Sequence, residues 1–470
     1  MLNYKEKFDP NYYSSLADDS AMIQAAVDEA AKYGEAVTIP RRNMRTGENL
    51  WVIERAIKLY SGSIVYLDNC NLIQADGVFD NVFRNSNNDT EIGLKREGRQ
   101  YDIKIIGKGN ASIDGGKHNG MTEVNHSHSG MPHIVYNSVF NFCNTERITI
   151  KDIRIINQRF WAFVFHYCSH GNISGIEFFA PHTVRNQDGI DLRTGCSHFN
   201  IENLSGVTGD DVVALTCLSN ERDEMMIKEG FDDSIHNVVI RNIRAISRCA
   251  FVRILNHYGK KIYNVLVEDL MEGINIDPMD SRAKELGIDL MQYNDIRRTN
   301  IGVRIGENKY FKEGMHAKEG DTYNITVRNV YTRARAGVYL ACTVTDSVID
   351  NVRMFGDGNT AVYFEEGNMK NLTVSNIHYT QSCNPNRKFN TRLFDERPNQ
   401  EPDFEKYNCA VFFKGTNAEN VNFRDITVNE NLDAVFGGFG NVNAKASGIK
   451  MANPDTPVKD GEGLNVEITD

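Results

Sequence analysis

A short phrase recurs along this chain: alternating apolar residues, a polar residue, an Asn or Asp, then a further apolar residue. It reads Ile148-Thr149-Ile150-Lys151-Asp152-Ile153, Phe199-Asn200-Ile201-Glu202-Asn203-Leu204 and Val238-Val239-Ile240-Arg241-Asn242-Ile243. Further copies run from Val265 to Leu270, Ile325 to Val330 and Leu372 to Ile377, with weaker ones at Ile173 to Ile176, Ile349 to Val352 and Val421 to Ile426. Taking one apolar position per copy as a marker gives 150, 173, 201, 240, 267, 327, 349, 374 and 423, most of them 22 to 28 residues apart. A repeat of that length marks a solenoid, whose units bury their apolar faces only by stacking. The longer gaps read as one coil with an insertion or as two coils.

Period-two alternation rich in Val, Ile and Thr makes the repeat β rather than helical. The predicted fold is all-β, a right-handed single-stranded parallel β-helix. A propeller is disfavoured because its blades need about 40 to 50 residues and hairpin turns. The Asn or Asp after each strand suits a left-handed turn, and such side chains can stack from coil to coil. At the N-terminal end, Asp18 or Asp19 is placed to cap a helix over about 20–33, with Ile23, Ala26, Val27 and Ala30 on one face and Gly34 as its stop. Ala36 to Pro40 reads as the first strand. The β-helix is expected to occupy 1–436, and the Gly- and Asn-rich stretch 437–470 reads as a loosely attached tail. Segments 78–100, 116–137, 271–322 and 383–408 are candidate insertions walling a groove.

Composition narrows the class of partner. Of 470 residues 41% are apolar and 24% charged, enough for a large core. Runs such as Phe160 to Phe165 are far too short to span a bilayer, so no membrane role is expected. A net charge of −11 argues against nucleic acid. Nine cysteines without a Cys-x-x-Cys pair fit neither a disulfide framework nor a zinc ribbon. The N-terminus lacks the apolar core of a secretory signal, giving the expectation of a cytoplasmic protein, or of a secreted one whose signal has been removed. His118, His126, His128 and His133 match no standard metal spacing, so neither metal nor cofactor is expected.

The chemistry concentrates in Asn186-Gln187-Asp188-Gly189-Ile190-Asp191 and Gly209-Asp210-Asp211. Asp188 and Asp210 are 22 residues apart, one coil, and adjacent strands lie about 4.8 Å apart. Three carboxyls held that close cannot all ionise normally, which sets an acid beside a base, the equipment for cleaving a glycosidic bond. An oligosaccharide or polysaccharide is the expected partner.

The run Phe160-Trp161 through Tyr167-Cys168, then Asn186-Gln187-Asp188-Gly189, Cys196 and Gly209-Asp210-Asp211, resembles glycoside hydrolase family 28, the polygalacturonase family. Gly107-Lys108-Gly109 and Ile113-Asp114-Gly115 resemble its approach to the same region. The resemblance implies the pectin-lyase-like β-helix and hydrolysis with inversion, Asp210 as general acid and Asp188 with Asp211 positioning water. Inversion needs carboxyls farther apart than one strand spacing, so the side chains must splay. The family's His-Gly is missing: the matching coil reads Ser247-Arg248-Cys249-Ala250-Phe251-Val252-Arg253. Its Arg-Ile-Lys, which grips a sugar carboxylate, aligns with Gly302-Val303-Arg304-Ile305-Gly306, where the arginine survives and the lysine does not. Losing one of two cations weakens selection for an anionic sugar. Arg304, Arg253, His257, Tyr339 and Asn186 are the candidate substrate contacts, with Arg253 a rival for the role of Arg304, His257 a substitute for the missing histidine and Tyr339 a platform for a sugar ring. A calcium-dependent polysaccharide lyase, using the same aspartates as ligands, and a non-catalytic glycan-binding β-helix are the competing expectations.

Overall fold

The structure, a computed structural model, describes residues 4–123, 134–180, 186–219, 230–273, 299–307, 314–356, 360–381, 408–429 and 432–469. Its fold is an all-β, right-handed parallel β-helix with an N-terminal capping helix. The chain forms two compact units, Met1–Asp210 with Asn220–Asp233, and Asp211–Ser219 with Ser234–Asp470.

In the first unit the helix Asp19–Tyr33 buries Met22, Ile23, Ala26, Val27 and Ala30. Asp18 caps it by accepting the Ala21 N–H at 2.8 Å, and Gly34 ends it in the left-handed region at φ 68°. Of the two predicted caps Asp18 is the one used. Asp19 is instead buried, taking Arg45 and the Val52 N–H. The first strand is Ala36–Pro40, as the alternation predicts. One core row then climbs through Val37, Val65, Ile105, Ile150, Ile173 and Ile201, each in parallel register with the next. Val37, Val65 and Ile105 extend the repeat upstream of the recognisable copies.

In the second unit the corresponding core row is Ile240, Val267, Val327, Ile349, Val374, Phe423 and Ala446, and Ile468, in register with Ala446, is exposed on the last rung. Within each unit the markers therefore stand on consecutive rungs, and the gaps after 267 and 374 are each one coil carrying an insertion. Each fully buried side chain of this kind is worth about 1.5–3 kcal/mol of transfer free energy, which no single coil could collect alone.

The turn residue of every copy is left-handed, with φ between 52° and 66° at Asp152, Gly175, Asn203, Asn242, Asp269, Asn329, Asn351, Asn376 and Asp425. Asn and Asp tolerate that region because their short polar side chains bond locally. The bonds also link coils: Asn329 donates to Asp269 and Asn351 donates to Asn329, each at 2.8 Å. A second ladder runs from Asn420 to Asn371 to Asp346.

Residues 437–469 are not a loose tail. Ala434–Ser447 pairs in parallel with Cys409–Val428 on one side and Lys459–Thr469 on the other. The buried Ala444 and Ala446 stand opposite the larger Val421 and Phe423 of the preceding coil, so the apolar signal fades while the ladder continues. Glycine is needed for close approach: at Gly438, with φ 106°, a Cβ would lie 1.8 Å from the Phe413 carbonyl oxygen.

Candidate active site

In the first unit the loop carrying Asp188 is pinned by its backbone. The Asp188 carbonyl accepts the Ala162 N–H at 3.0 Å, and the Gly189 carbonyl accepts that of Phe163 at 3.0 Å. Gln158 and Gln187 clasp each other, Gln187 Nε2 donating to the Gln158 carbonyl at 2.8 Å and Gln158 Nε2 to the Gln187 carbonyl at 3.2 Å. The next coil joins through the Gly209 N–H, which donates to the Gln187 carbonyl at 3.1 Å. Asp188 and Asp210 each follow one member of that bonded pair, and so occupy the same point of successive coils. Asp188 is 4% exposed, whereas Asp210 is half-buried. Asp191 is also buried, in register with Val164 on the strand Ile190–Arg193. Asn186 enters this loop as a left-handed turn residue at φ 57°.

In the second unit, Asp211 leads into the strand Val213–Cys217, whose Ala214 begins an outward row. Rung by rung the row is Ala214, Arg253, Arg304, Tyr339, Tyr363 and Phe412. Neighbours such as Val252 and Ile254 point into the core by the alternation of the strand. Arg253 and Arg304 are therefore partners on adjacent rungs and not rivals. Arg253 Nη1 lies 3.6 Å from Asp211 Oδ2, and its Nη2 lies 3.3 Å from Glu307 Oε2. The same Glu307 oxygen accepts Arg304 Nη2. Burial pushes the Asp211 carboxyl above its usual 3.8, and Arg253, Cys249, Arg304 and the Ala250 N–H pull it back only in part. Asp211 and Cys249 offer a carboxylate and a thiol, but both guanidinium groups lie within 4.0 Å of the Cys249 sulfur, and that charge does not suit a hard dication.

Tyr339 does not form a sugar platform. It is 1% exposed, its hydroxyl donates to Glu365, the Arg304 guanidinium lies 5.5 Å over its ring and Tyr363 packs 5.5 Å away. Burial, then the charge of Glu365, raise its pKa well above 10. Lys414, one rung beyond Glu365, completes that pair. His257 is a structural tie: Nδ1 accepts the Ser219 N–H at 2.9 Å and its backbone N–H donates to Cys217. Phe160 and Trp161 stack 4.5 Å apart among Ile134, Val135 and Val164 and are core. His118 accepts the Gly120 N–H, while His126, His128, His133 and the segment 383–407 lie outside the described residues. Glu307, Glu365 and Lys414 have no motif. Only the register of Arg253, Arg304 and Tyr339 across three coils would have pointed to them.

The profile of glycosyl hydrolases family 28 matches residues 85–383, well over half the sequence. The chain belongs to glycosyl hydrolases family 28. No curated sequence matches this family 28 protein. Among solved structures it is similar to the hyperthermoactive exopolygalacturonase from Thermotoga maritima, with 13% identity, 87% of this chain and 91% of that one covered, and a TM-score of 0.51. It is also similar to the family 28 exopolygalacturonase of Yersinia enterocolitica, at 14% identity over 98% and 78% of the two chains, with a TM-score of 0.48. The pre-mature gene product 12 of bacteriophage phi29 matches at 13% identity over 97% of this chain and 57% of that one, TM-score 0.50. At such identities the likeness to the Thermotoga and phi29 proteins establishes the fold alone.

Proposed function

We propose that this family 28 protein is a glycoside hydrolase that cleaves a glycosidic bond of an oligosaccharide or polysaccharide with inversion. The observation that carries the reading is the Gln187–Gly209 backbone bond, which puts Asp188 and Asp210 at one point of successive coils, with Asp211 next in the chain. Asp210, the half-buried carboxyl, protonates the leaving oxygen; Asp188 and Asp211 orient and deprotonate the water. Arg253 holds the Asp211 carboxylate in place and supports its charge. The long insertions in the sequence, one of them between the strand that ends at Glu272 and the strand that begins at Ile301 and another at 383–408, favour exo action on a pectin-like or related sugar.

A lyase would need its calcium ligands unencumbered, and the ion pair of Asp211 with Arg253 weighs against that alternative. The test is a panel of oligosaccharides with the product anomer followed by NMR. Inverted product is expected, and Asp188→Asn, Asp210→Asn and Asp211→Asn are each expected to lower kcat by at least about a hundredfold. Full activity in any variant removes that residue from the mechanism. An unsaturated, ultraviolet-absorbing product lost on chelation would make the protein a lyase.

A further inference from the structure

Two buried arginines on one outward row would ordinarily mark a binding place for an anion, because a guanidinium fork matches a carboxylate. Here the place is filled from within. Glu307 stands just beyond the strand Ile301–Gly306, and one of its oxygens meets both Arg253 and Arg304. The side chains of Arg304 and Glu307 are 4% and 3% exposed, and those of Arg253 and Asp211 17% and 3%. Asp211 takes the other face of Arg253. Two cations thus meet two carboxylates of the same chain, and the group carries no net charge. An incoming sugar carboxylate would have to displace Glu307 or be buried against it, and an unpaired buried charge is costly.

We infer that Glu307 is a specificity-determining residue, an internal counter-anion that makes the Arg253–Arg304 subsite take an uncharged sugar and reject a uronate. The inference rests on the carbohydrate reading proposed above and narrows its substrate class. It also gives the lost lysine of the family pattern a physical counterpart: the second cation is present as Arg253, but the chain itself satisfies it.

The test compares trigalacturonate with its fully methyl-esterified form, which has the same sugar skeleton without the charge. Binding is measured by calorimetry on the full chain, in an Asp210→Asn background so that neither probe is turned over, with and without Glu307→Gln. The parent is expected to prefer the ester, and Glu307→Gln to shift the ratio toward the acid by about tenfold to a hundredfold, the range of a charge-assisted hydrogen bond. A second measurement covers a variant that folds poorly. Glu307→Ala is melted in sodium acetate and in sodium chloride of equal ionic strength, and acetate alone is expected to raise its melting temperature while leaving the parent unmoved. An unshifted ratio with binding retained overturns the role of Glu307. Lack of any acetate effect overturns the carboxylate slot. Failure of both probes to bind either protein, with acetate rescue intact, instead overturns the carbohydrate reading and the sugar specificity built on it.

Discussion

Replacing Arg253 by alanine removes the cation nearest to Asp211 and one of the two on Glu307. At the observed 3.6 Å and an effective dielectric of about 20, the Asp211 attraction alone is about 4–5 kcal/mol. Breaking a buried pair by deleting one partner costs about 3–5 kcal/mol, because the remaining charge stays desolvated. Arg304 still holds Glu307 and lies near enough to pull on Asp211, so a loss of about 3 kcal/mol is expected at neutral pH. The sign of the pH dependence follows from burial. Asp211 already sits above 3.8 in the folded chain, and loss of Arg253, the largest of the opposing influences, raises it further. The folded variant then holds this proton more tightly than the unfolded chain, so its stability falls as pH rises from the unfolded value through the folded one. Below that window Asp211 is neutral in both states, and what remains is lost packing and the lost contact with Glu307. Urea unfolding of parent and variant should show a gap of about 3 kcal/mol near pH 8 that shrinks to about 1 kcal/mol near pH 4. The added substitution Asp211→Asn should abolish the pH dependence of the gap. A gap that is the same at both pH values, or below about 1 kcal/mol at the higher one, refutes the reasoning.

The same ion pair predicts that the acidic limb of the kcat/KM profile lies above the ordinary carboxylate range and moves to higher pH in Arg253→Gln, since the base must be ionised to work; an unmoved limb would exclude Asp211 as that base. In the turn ladder, Asn329→Ala should cost about 1–2 kcal/mol through left-handed strain and lost bonds, while Asn329→Gly should cost visibly less. Equal losses in thermal melts would show that conformation is not the cause. Gly438→Ala sets a Cβ against the Phe413 carbonyl and should lower the melting temperature of the C-terminal coils, measured as loss of hydrogen-exchange protection over 434–469. Unchanged protection would return that stretch to a loose tail.

The architecture was legible in the sequence because each coil repeats the same demand. Alternation sets two faces, an apolar marker such as Ile150 or Val267 faces inward, and Asn or Asp two positions later must turn left-handed. Those are local requirements, so residue types alone disclosed them. The C-terminal coils escaped for the same reason in reverse: glycines and alanines satisfy the ladder by letting backbones approach, which leaves little hydrophobic signal. The spacing of Asp188 and Asp210 was likewise readable, since no insertion separates them and 22 residues matches the bare repeat.

Which side chains answer which was decided only by the fold. Sequence set Arg253 and Arg304 in competition, offered Tyr339 as a surface and His257 as a substitute for the missing histidine. Register placed the arginines on neighbouring rungs, burial closed Tyr339 behind Glu365 and Arg304, and the Ser219 N–H occupies His257 Nδ1. Glu307 lies 54 residues from Arg253 in the chain and 3.3 Å from it in space. Parallel coils joined by insertions of unequal length bring such residues together, and one-dimensional spacing cannot encode a pairing that depends on how much chain each insertion removes from the ladder.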